Sequence, residues 1–533
     1  MKGTIPMSFI SAAFAVFITV TLVLYYIVPK RFQWIMLLAA SVVFYLFSGP
    51  KYLIYVAVTS FVTYGCAIWV KYLADKFSAK LPELKKTLSK DDLQKEVKRA
   101  EAARGQVVAL ALAVDLGILI VLKYLDFLIG NVNSIFSVSI PTFSFIMPLG
   151  LSFYTFAAVG YIVDVSRGKY EPERNPAKFA LFITFFPQII QGPIPRFERL
   201  APQLCSEHRF SYANLRSGLQ LALWGIFKKL VIADSVGVIV YETVKGFDEM
   251  SGVRIWLGMF VWGVQLYTDF SGGIDITRGV AECFGITLDE NFKRPYFATD
   301  LTDYWNRWHI SLSDWLRDYF FYPIALSKRF ARFSKFLKKK FGKFIAKTVP
   351  VGLLSLLLFT IVGIWHGANW GEVLFGVFNG VVILISTLME PLFEKPRKAL
   401  KMDKNIGWHI FRSVRTFLII TIARVISKAP DIPAACRMLG KMFFHPDFSG
   451  FFGGIGKESL TSGLVPYLPA IIGCAVLFVY SLIEEKGHSV RGLLNERPAA
   501  LRITVEALCV LAIVIFGAYG LGYDAASFIY KTY

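Results

Sequence analysis

The sequence predicts an all-α protein that crosses a membrane many times, and three observations predict it. Hydrophobic residues make up 55% of the 533 positions and charged residues only 18%, with a mean hydropathy of +0.52. A water-facing surface cannot be built from that mixture. The apolar residues gather in runs close to the length of a spanning helix, about 20 residues. The net charge of +20 collects between those runs. In hydrocarbon every backbone polar group must pair within its own helix, so the runs give about 11 to 13 membrane-embedded helices.

The first run, 8–28, exceeds the apolar core of a secretory signal and ends in Pro29-Lys30-Arg31 instead of small residues, so it reads as a retained helix. Runs 34–48 and 53–70 follow. Segment 71–105 is then a charged cytoplasmic loop; Lys71 to Arg104 carries ten Lys/Arg against six Asp/Glu, and Lys85 to Arg104 reads as a soluble helix or hairpin. Runs 106–130, 145–163, 178–191, 219–240 and 253–270 come next. Segment 304–347 reads as interfacial and cytoplasmic helices, because Lys328 to Lys347 interleaves Phe with nine Lys/Arg and no acid, the pattern of an amphipathic helix at a lipid surface. Runs 350–366, 372–389, 409–426, 466–483 and 501–522 complete the set, with loops at the charge-rich 394–404 and the Gly-rich 445–463. The whole chain reads as one integral-membrane domain, 1–533, of the cell membrane.

Basic loops stay on the cytoplasmic side, which places the amino terminus outside after three spans. Insertion rules and anionic lipid account for most of the positive charge, and nucleic acid is excluded as a partner because the interleaved aromatics serve lipid. The six cysteines form no Cys-x-x-Cys and read as small hydrophobes.

Two of the six histidines need a reason to be where they are. His309 sits in Trp305-Asn-Arg-Trp-His-Ile-Ser-Leu-Ser-Asp-Trp-Leu-Arg-Asp-Tyr319, and His366 ends an apolar run in Ile364-Trp-His-Gly-Ala-Asn-Trp370. Ionisable groups at membrane depth are costly and mark function. A continuous helix through the first segment aligns Trp305, Trp308, Leu312, Trp315 and Tyr319 in an aromatic stripe and puts Asn306 and Ser313 on the side of His309, with Arg307, Asp314, Arg317 and Asp318 supplying ionic pairs. Gly367 lets the helix of His366 end so that the ring meets a cavity. No metal is expected, since the two histidines are far apart in sequence without an HExxH pair or a Cys/His cluster. There is no Gly-x-Ser-x-Gly elbow. Asp269 and Asp275 flank two glycines and fit a polar network better than a carboxylate pair. Asp115, Lys123 and Asp126 within an apolar run leave room for a transporter or flippase, although no two related halves with broken helices are seen.

The two histidine segments resemble the membrane-bound O-acyltransferase superfamily, specifically its bacterial alginate O-acetyltransferase branch. Further stretches carry the likeness: Pro148-Leu-Gly-Leu-Ser-Phe-Tyr-Thr-Phe156, Tyr161-Ile-Val-Asp-Val-Ser-Arg-Gly168, Phe185-Phe-Pro-Gln188, Gln191-Gly-Pro-Ile-Pro-Arg-Phe197, Ala201-Pro-Gln-Leu204, Asp269-Phe-Ser-Gly272, Asn291-Phe-Lys-Arg-Pro-Tyr296 and Phe528-Ile-Tyr530. The resemblance implies a helical fold around a transmembrane tunnel, with His366 as the catalytic histidine and His309 as the second polar position of the family motif. It implies no tightly bound cofactor; acetyl-coenzyme A, or an acyl carrier protein, is the thioester donor. Membrane lipid, an extracytoplasmic transfer protein and a polysaccharide acceptor are the implied partners, and D-alanyl transfer to teichoic acid is the related alternative. The chain departs from the family in reading Asp269-Phe-Ser-Gly-Gly-Ile-Asp275, where relatives often have Tyr-(Ser/Thr) in place of Gly-Ile, and Asn379-Gly380, where they often have His-Gly.

Chemically, O-acyl transfer needs a base near neutral pH for the attacking hydroxyl, which imidazole supplies, and His366 is the expected base. The oxyanion needs donors, for which Asn306, Asn369, the indoles of Trp305, Trp308 and Trp365, or backbone N–H groups near Gly367 are in reach of the motif. His309 orients donor or acceptor, or else makes an interhelical hydrogen bond. Ser313 and Asp269 complete the set expected along the tunnel.

Overall fold

The structure, a computed structural model, describes residues 8–145, 147–189, 191–448 and 465–519. Among them there is no β-strand, and seven segments are long and apolar enough to cross a membrane: Lys30–Phe47, Pro50–Thr87, Lys90–Phe136, Lys328–His366, Trp370–Ala399, Leu468–Glu485 and Ala499–Phe516, with Ala12–Ile27 and Leu151–Ser166 as shorter apolar helices. The chain is an all-α, multi-pass membrane protein. Two compact units account for it, Met1–Leu219 with Thr277–Asp289, and Gln220–Ile276 with Glu290–Tyr533.

In the first unit the helices are α1 (Ala12–Ile27), α2 (Gln33–Ser48), α3 (Leu53–Thr87), α4 (Lys90–Phe136), α5 (Leu151–Ser166), α6 (Pro176–Thr184), α7 (Phe197–Cys205) and the first half of α8 (Tyr212–Phe227). The charged segment is not a loop. Helix α3 runs on beyond its apolar part, and α4 restarts at once because Ser89 accepts from the Asp92 N–H while Asp91 and Asp92 sit in the first turn. The three charges of the apolar run have local partners. Buried Asp115 accepts from Thr63 Oγ1 at 2.7 Å, the Lys123 ammonium lies 5.8 Å from the Tyr124 ring centroid, and Asp126 accepts from the Phe143 and Ser144 N–H groups at 2.8 Å each.

The second unit holds a π-helical turn (Lys228–Ala233), α9 (Asp234–Gly246), α10 (Gly252–Cys283, to Ile276 in this unit), α11 (Leu301–Arg307), α12 (Ile310–Leu316), α13 (Tyr322–Ala325), α14 (Lys328–His366), α15 (Trp370–Ala399), α16 (Ile406–Lys428), α17 (Ile432–Phe444), α18 (Leu468–Glu485), α19 (Val490–Asn495) and α20 (Ala499–Phe516). The basic, Phe-rich stretch is helical and leads into the span of His366, with a break at Gly342, whose φ of 86° lies outside the helical region. The expected loop 394–404 is helical to Ala399: α15 continues past its apolar part and through Pro396, with Lys398 paired to Glu394 on the next turn. Of the expected Gly-rich loop 445–463 and the closing Phe528 to Tyr530, residues 449–463 and 528–530 lie outside the described residues.

Two features position the site. Helices α14 and α15 touch backbone to backbone: a Cβ on Gly363 would lie 2.2 Å from the Glu372 carbonyl oxygen, and one on Gly376 would lie 2.2 Å from that of Phe359. Small residues therefore let the end of α14 dock on the start of α15. The π turn carries Lys228 and Lys229 into the interior. There Lys229 Nζ is 2.6 Å from Asp269 and 2.7 Å from Asp234, and Lys228 Nζ is 2.7 Å from Asp275 and donates to Ser271 Oγ at 2.9 Å.

Candidate active site

The continuous helix expected through His309 is broken. Helix α11 ends at Arg307, Trp308 is extended, and His309 takes a left-handed φ of 49° as the residue before α12. A non-glycine residue holds that conformation at a cost of roughly 1–2 kcal/mol, so the surroundings must impose it. They do so through the segment 291–293, which runs antiparallel to the break. Phe292 bridges Trp308, Lys293 N donates to Arg307 O at 2.9 Å, and Ile310 N donates to Asn291 O at 3.0 Å. Arg307 itself is anchored on Asp303 and Glu485, and Arg294 on Glu485. The paired backbone satisfies groups that a helix would have bonded internally, which is why the aromatic register does not continue.

The Asn291 side chain is fully buried and turned on the histidine. Its Oδ1 accepts from Ser311 N and Ser311 Oγ, each at 2.9 Å, and lies 3.3 Å from His309 Nδ1. An atom that receives a backbone N–H must be the amide oxygen, so Nδ1 carries the proton and Nε2 is the basic nitrogen of His309. His309 lies between the short helices, not within a spanning one. Its burial, and then the charge of His366, push its pKa well below the ordinary histidine range. The neutral ring is the form that can accept a proton or orient a hydroxyl.

His366 is the last residue of α14, and Gly367 follows in an extended conformation that ends the helix. The two imidazoles share one neighbour. The Trp365 ring lies 5.6 Å from that of His309 and 5.0 Å from that of His366, centroid to centroid, both edge to face. Each histidine also lines its own cavity. One, of about 190 Å³, is bounded by His309 with Trp305, Asn306, Ser313, Phe359 and Val362 among others. The other, of about 40 Å³, is bounded by His366 with Trp305, Trp308, Tyr304, Glu372, Phe375, Arg424 and Ser427 among others. Trp305 is a wall of both.

Of the residues expected at the site, His309, Trp305, Asn306 and Ser313 therefore meet at the larger cavity and His366, Trp305 and Trp308 at the smaller, with Trp365 between the rings. Ser313 shares the cavity through the fold of the break, its Oγ donating to Trp305 O at 3.2 Å, and not through helical register. Two of the expected residues stand apart from these two cavities. Asn369 caps α15, accepting from Glu372 N at 2.9 Å, and its side chain lines neither cavity. Asp269 is held by Lys229 in the buried ionic network and lines neither cavity.

Three residues at the site were not singled out from the sequence, and a fourth, Asn379, stood out only as a departure from the family pattern. Asn291 stands in a stretch quoted only for its resemblance. Glu372, buried and accepting from Ser427 Oγ, and Arg424, buried, are charges at the start of one hydrophobic run and near the end of another, the signal that could have found them. Arg424 Nη2 donates to the Tyr296 and Tyr304 hydroxyls at 3.1 and 3.0 Å, and the guanidinium packs 5.4 Å from the Trp308 ring centroid. Asn379 stands where the family often has histidine, and its Oδ1 accepts from the Trp305 indole N–H at 3.3 Å.

Comparison with known proteins gives the constellation a context. Residues 173–427, which include both histidines, match the model of the MBOAT, membrane-bound O-acyltransferase family. A probable alginate O-acetylase of Azotobacter vinelandii is 31% identical, over 89% of this chain and 85% of its own length. A peptidoglycan O-acetyltransferase of Helicobacter pylori is 28% identical over 71% of this chain and 74% of its own. A teichoic acid D-alanyltransferase of Bacillus subtilis is 29% identical over 50% of this chain and 65% of its own. With two buried histidines at adjoining cavities and relatives that match along most of its length, the chain belongs to the membrane-bound O-acyltransferase family and is an acyltransferase.

Proposed function

We propose that the chain moves an acetyl group from acetyl-coenzyme A at the cytoplasmic face to a hydroxyl destined for an extracytoplasmic polysaccharide of the alginate type, with a separate extracytoplasmic protein completing delivery. The observation that carries the reading is the pairing of His366 and His309 across Trp365, each ring at a cavity of its own. Acetylase relatives matched over most of the chain support the acetyl group and the polysaccharide.

In the proposed step a ring nitrogen of His366 takes the proton of the acceptor hydroxyl as its oxygen bonds to the thioester carbonyl carbon. The tetrahedral intermediate collapses with loss of the C–S bond, and the thiolate leaves with the proton that the imidazolium returns. Ester and free thiol are the products, and the histidine is restored. His309, with Nε2 as its basic nitrogen, orients the reacting group, and the Trp305 and Trp308 indoles bound the space in which the carbonyl sits.

The test is label transfer. Membranes containing the chain are incubated with acetyl-coenzyme A labelled in the acetyl group. Loss of label from coenzyme A that depends on His366, absent in His366→Ala protein that still inserts, supports the reading; undiminished transfer in that variant sinks it. The D-alanyl alternative, kept because of the teichoic acid relative, is separated by the mass of the ester found on the envelope polymer.

A further inference from the structure

The two cavities differ in size and share one indole. About 40 Å³ beside His366 holds about three water-sized groups, whereas about 190 Å³ beside His309 holds several times more. Trp305 walls both, and its orientation is fixed from two directions. Its N–H donates to Asn379 Oδ1, and Asn379 is itself buried with its amide N–H bonded to Phe375 O at 2.8 Å. Its ring packs against Phe359 at 5.2 Å and Tyr304 at 5.4 Å between centroids. A buried indole with a bonded N–H and two close ring contacts cannot swing aside without losing them.

From this we infer that Trp305 sets the size of the acyl group that can be transferred, by closing the His366 cavity at two carbons. The inference rests on the functional reading above, in which the carbonyl under attack lies beside His366. An acetyl group has three non-hydrogen atoms and matches the small cavity. Butyryl and D-alanyl groups have five and must pass the plane of the indole into the space beside His309. The thioester donor does not impose the limit; the tryptophan does. Asn379 acts through Trp305 and is a positioning residue.

The experiment compares acetyl-, propionyl- and butyryl-coenzyme A as donors to the full-length chain in its membrane, reading release of free thiol and acyl label on the acceptor. One methylene too many in a closed pocket is worth about 10- to 200-fold in relative rate. The wild-type chain should therefore prefer acetyl over butyryl by at least about tenfold, and Trp305→Ala, which joins the two cavities, should reduce that ratio by about tenfold or more, whatever happens to the absolute rate. Trp305→Phe, and Asn379→Leu, which frees the indole, should fall in between. They carry the test if the alanine variant does not insert. An unchanged ratio in the inserted variants, or a wild-type chain that uses butyryl as readily as acetyl, overturns the inference. A wild-type chain that consumes no thioester at all brings down the functional reading and this inference together, whereas an active chain with an unaltered ratio brings down this inference alone.

Discussion

Asn291 and His309 form one unit: a single amide oxygen takes the backbone and hydroxyl hydrogens of Ser311 and faces the Nδ1 hydrogen of His309, whose backbone is held in the left-handed region beside it. The sequence separates the two by 18 positions, and the break between α11 and α12 brings them together. Removing the oxygen takes from three buried donors the acceptor they share, at about 1–3 kcal/mol for a buried donor that finds no replacement.

Asn291→Leu should therefore lower kcat by roughly 5- to 150-fold, the range that 1–3 kcal/mol of lost positioning gives. KM should change far less, because the substrate is not touched. Asn291→Asp, which keeps acceptor oxygens on Ser311 and Nδ1, should recover most of the activity. A leucine variant with wild-type kcat, measured on protein shown to be inserted, would deny the pairing any role.

Stability should depend on pH through His309. Burial lowers its pKa in the folded chain, so below the ordinary histidine value of about 6.5 the unfolded state binds a proton that the folded state does not. The stabilisation is present above that pH and is lost as pH falls toward the folded value, by about 1.4 kcal/mol per unit. His309→Gln removes the titrating group and should flatten the decline in unfolding temperature between about pH 6.5 and 5. Equal slopes for the two proteins would mean that His309 is not the buried neutral group.

The membrane class, the order of the helices and the two histidines were legible because hydropathy and rare ionisable residues are local signals. What the sequence could not convey was the break at Trp308 and His309. Residues 301–316 have helical periodicity, and only pairing with 291–293, a tertiary contact, makes the extended backbone cheaper than the helix. Asn369 shows a second limit: next to a catalytic motif it reads as an oxyanion donor, and only the structure shows that its place one residue before α15 gives its oxygen the work that Asn does best at a helix start. The roles of Asn379, Glu372 and Arg424 depend on which helices α15 and α16 meet, and hydropathy does not encode that.

The docking of α14 on α15 sets where His366 ends up, and it can be tested without touching the histidine. Gly363→Ala places a methyl carbon 2.2 Å from the Glu372 carbonyl and 3.1 Å from the Gly376 Cα, neither of which can move without bending a helix. The expected cost is about 1–3 kcal/mol or more, seen as a lower unfolding temperature, together with a loss of acyl transfer greater than the fraction of protein unfolded. Gly342→Ala, at the break in the same helix, meets nothing within 4 Å but forbids the φ of 86°. It should alter the break and not the packing at His366, so that activity falls less than in the Gly363 variant. Equal losses in both would mean that the backbone contact between α14 and α15 does not position the site.

The buried cations of the π turn give the last prediction. Lys229 is 1% exposed, 2.6 Å from Asp269 and 2.7 Å from Asp234. Breaking a buried pair by removing one partner costs about 3–5 kcal/mol, because the remaining charge has lost its compensation. Lys229→Met takes from buried Asp269 and partly buried Asp234 the cation they share and should abolish stable insertion, whereas Asp269→Asn leaves Lys229 its bond to Asp234 and should be milder. Since Asp269 lines neither histidine cavity, Asp269→Asn protein that does insert should transfer acyl groups with wild-type KM and a kcat reduced no more than its stability explains. A large fall in kcat with full stability would give Asp269 a part in the chemistry beyond the polar network. Thermal unfolding of the purified variants in micelles, read beside label transfer from the same preparations, separates these outcomes.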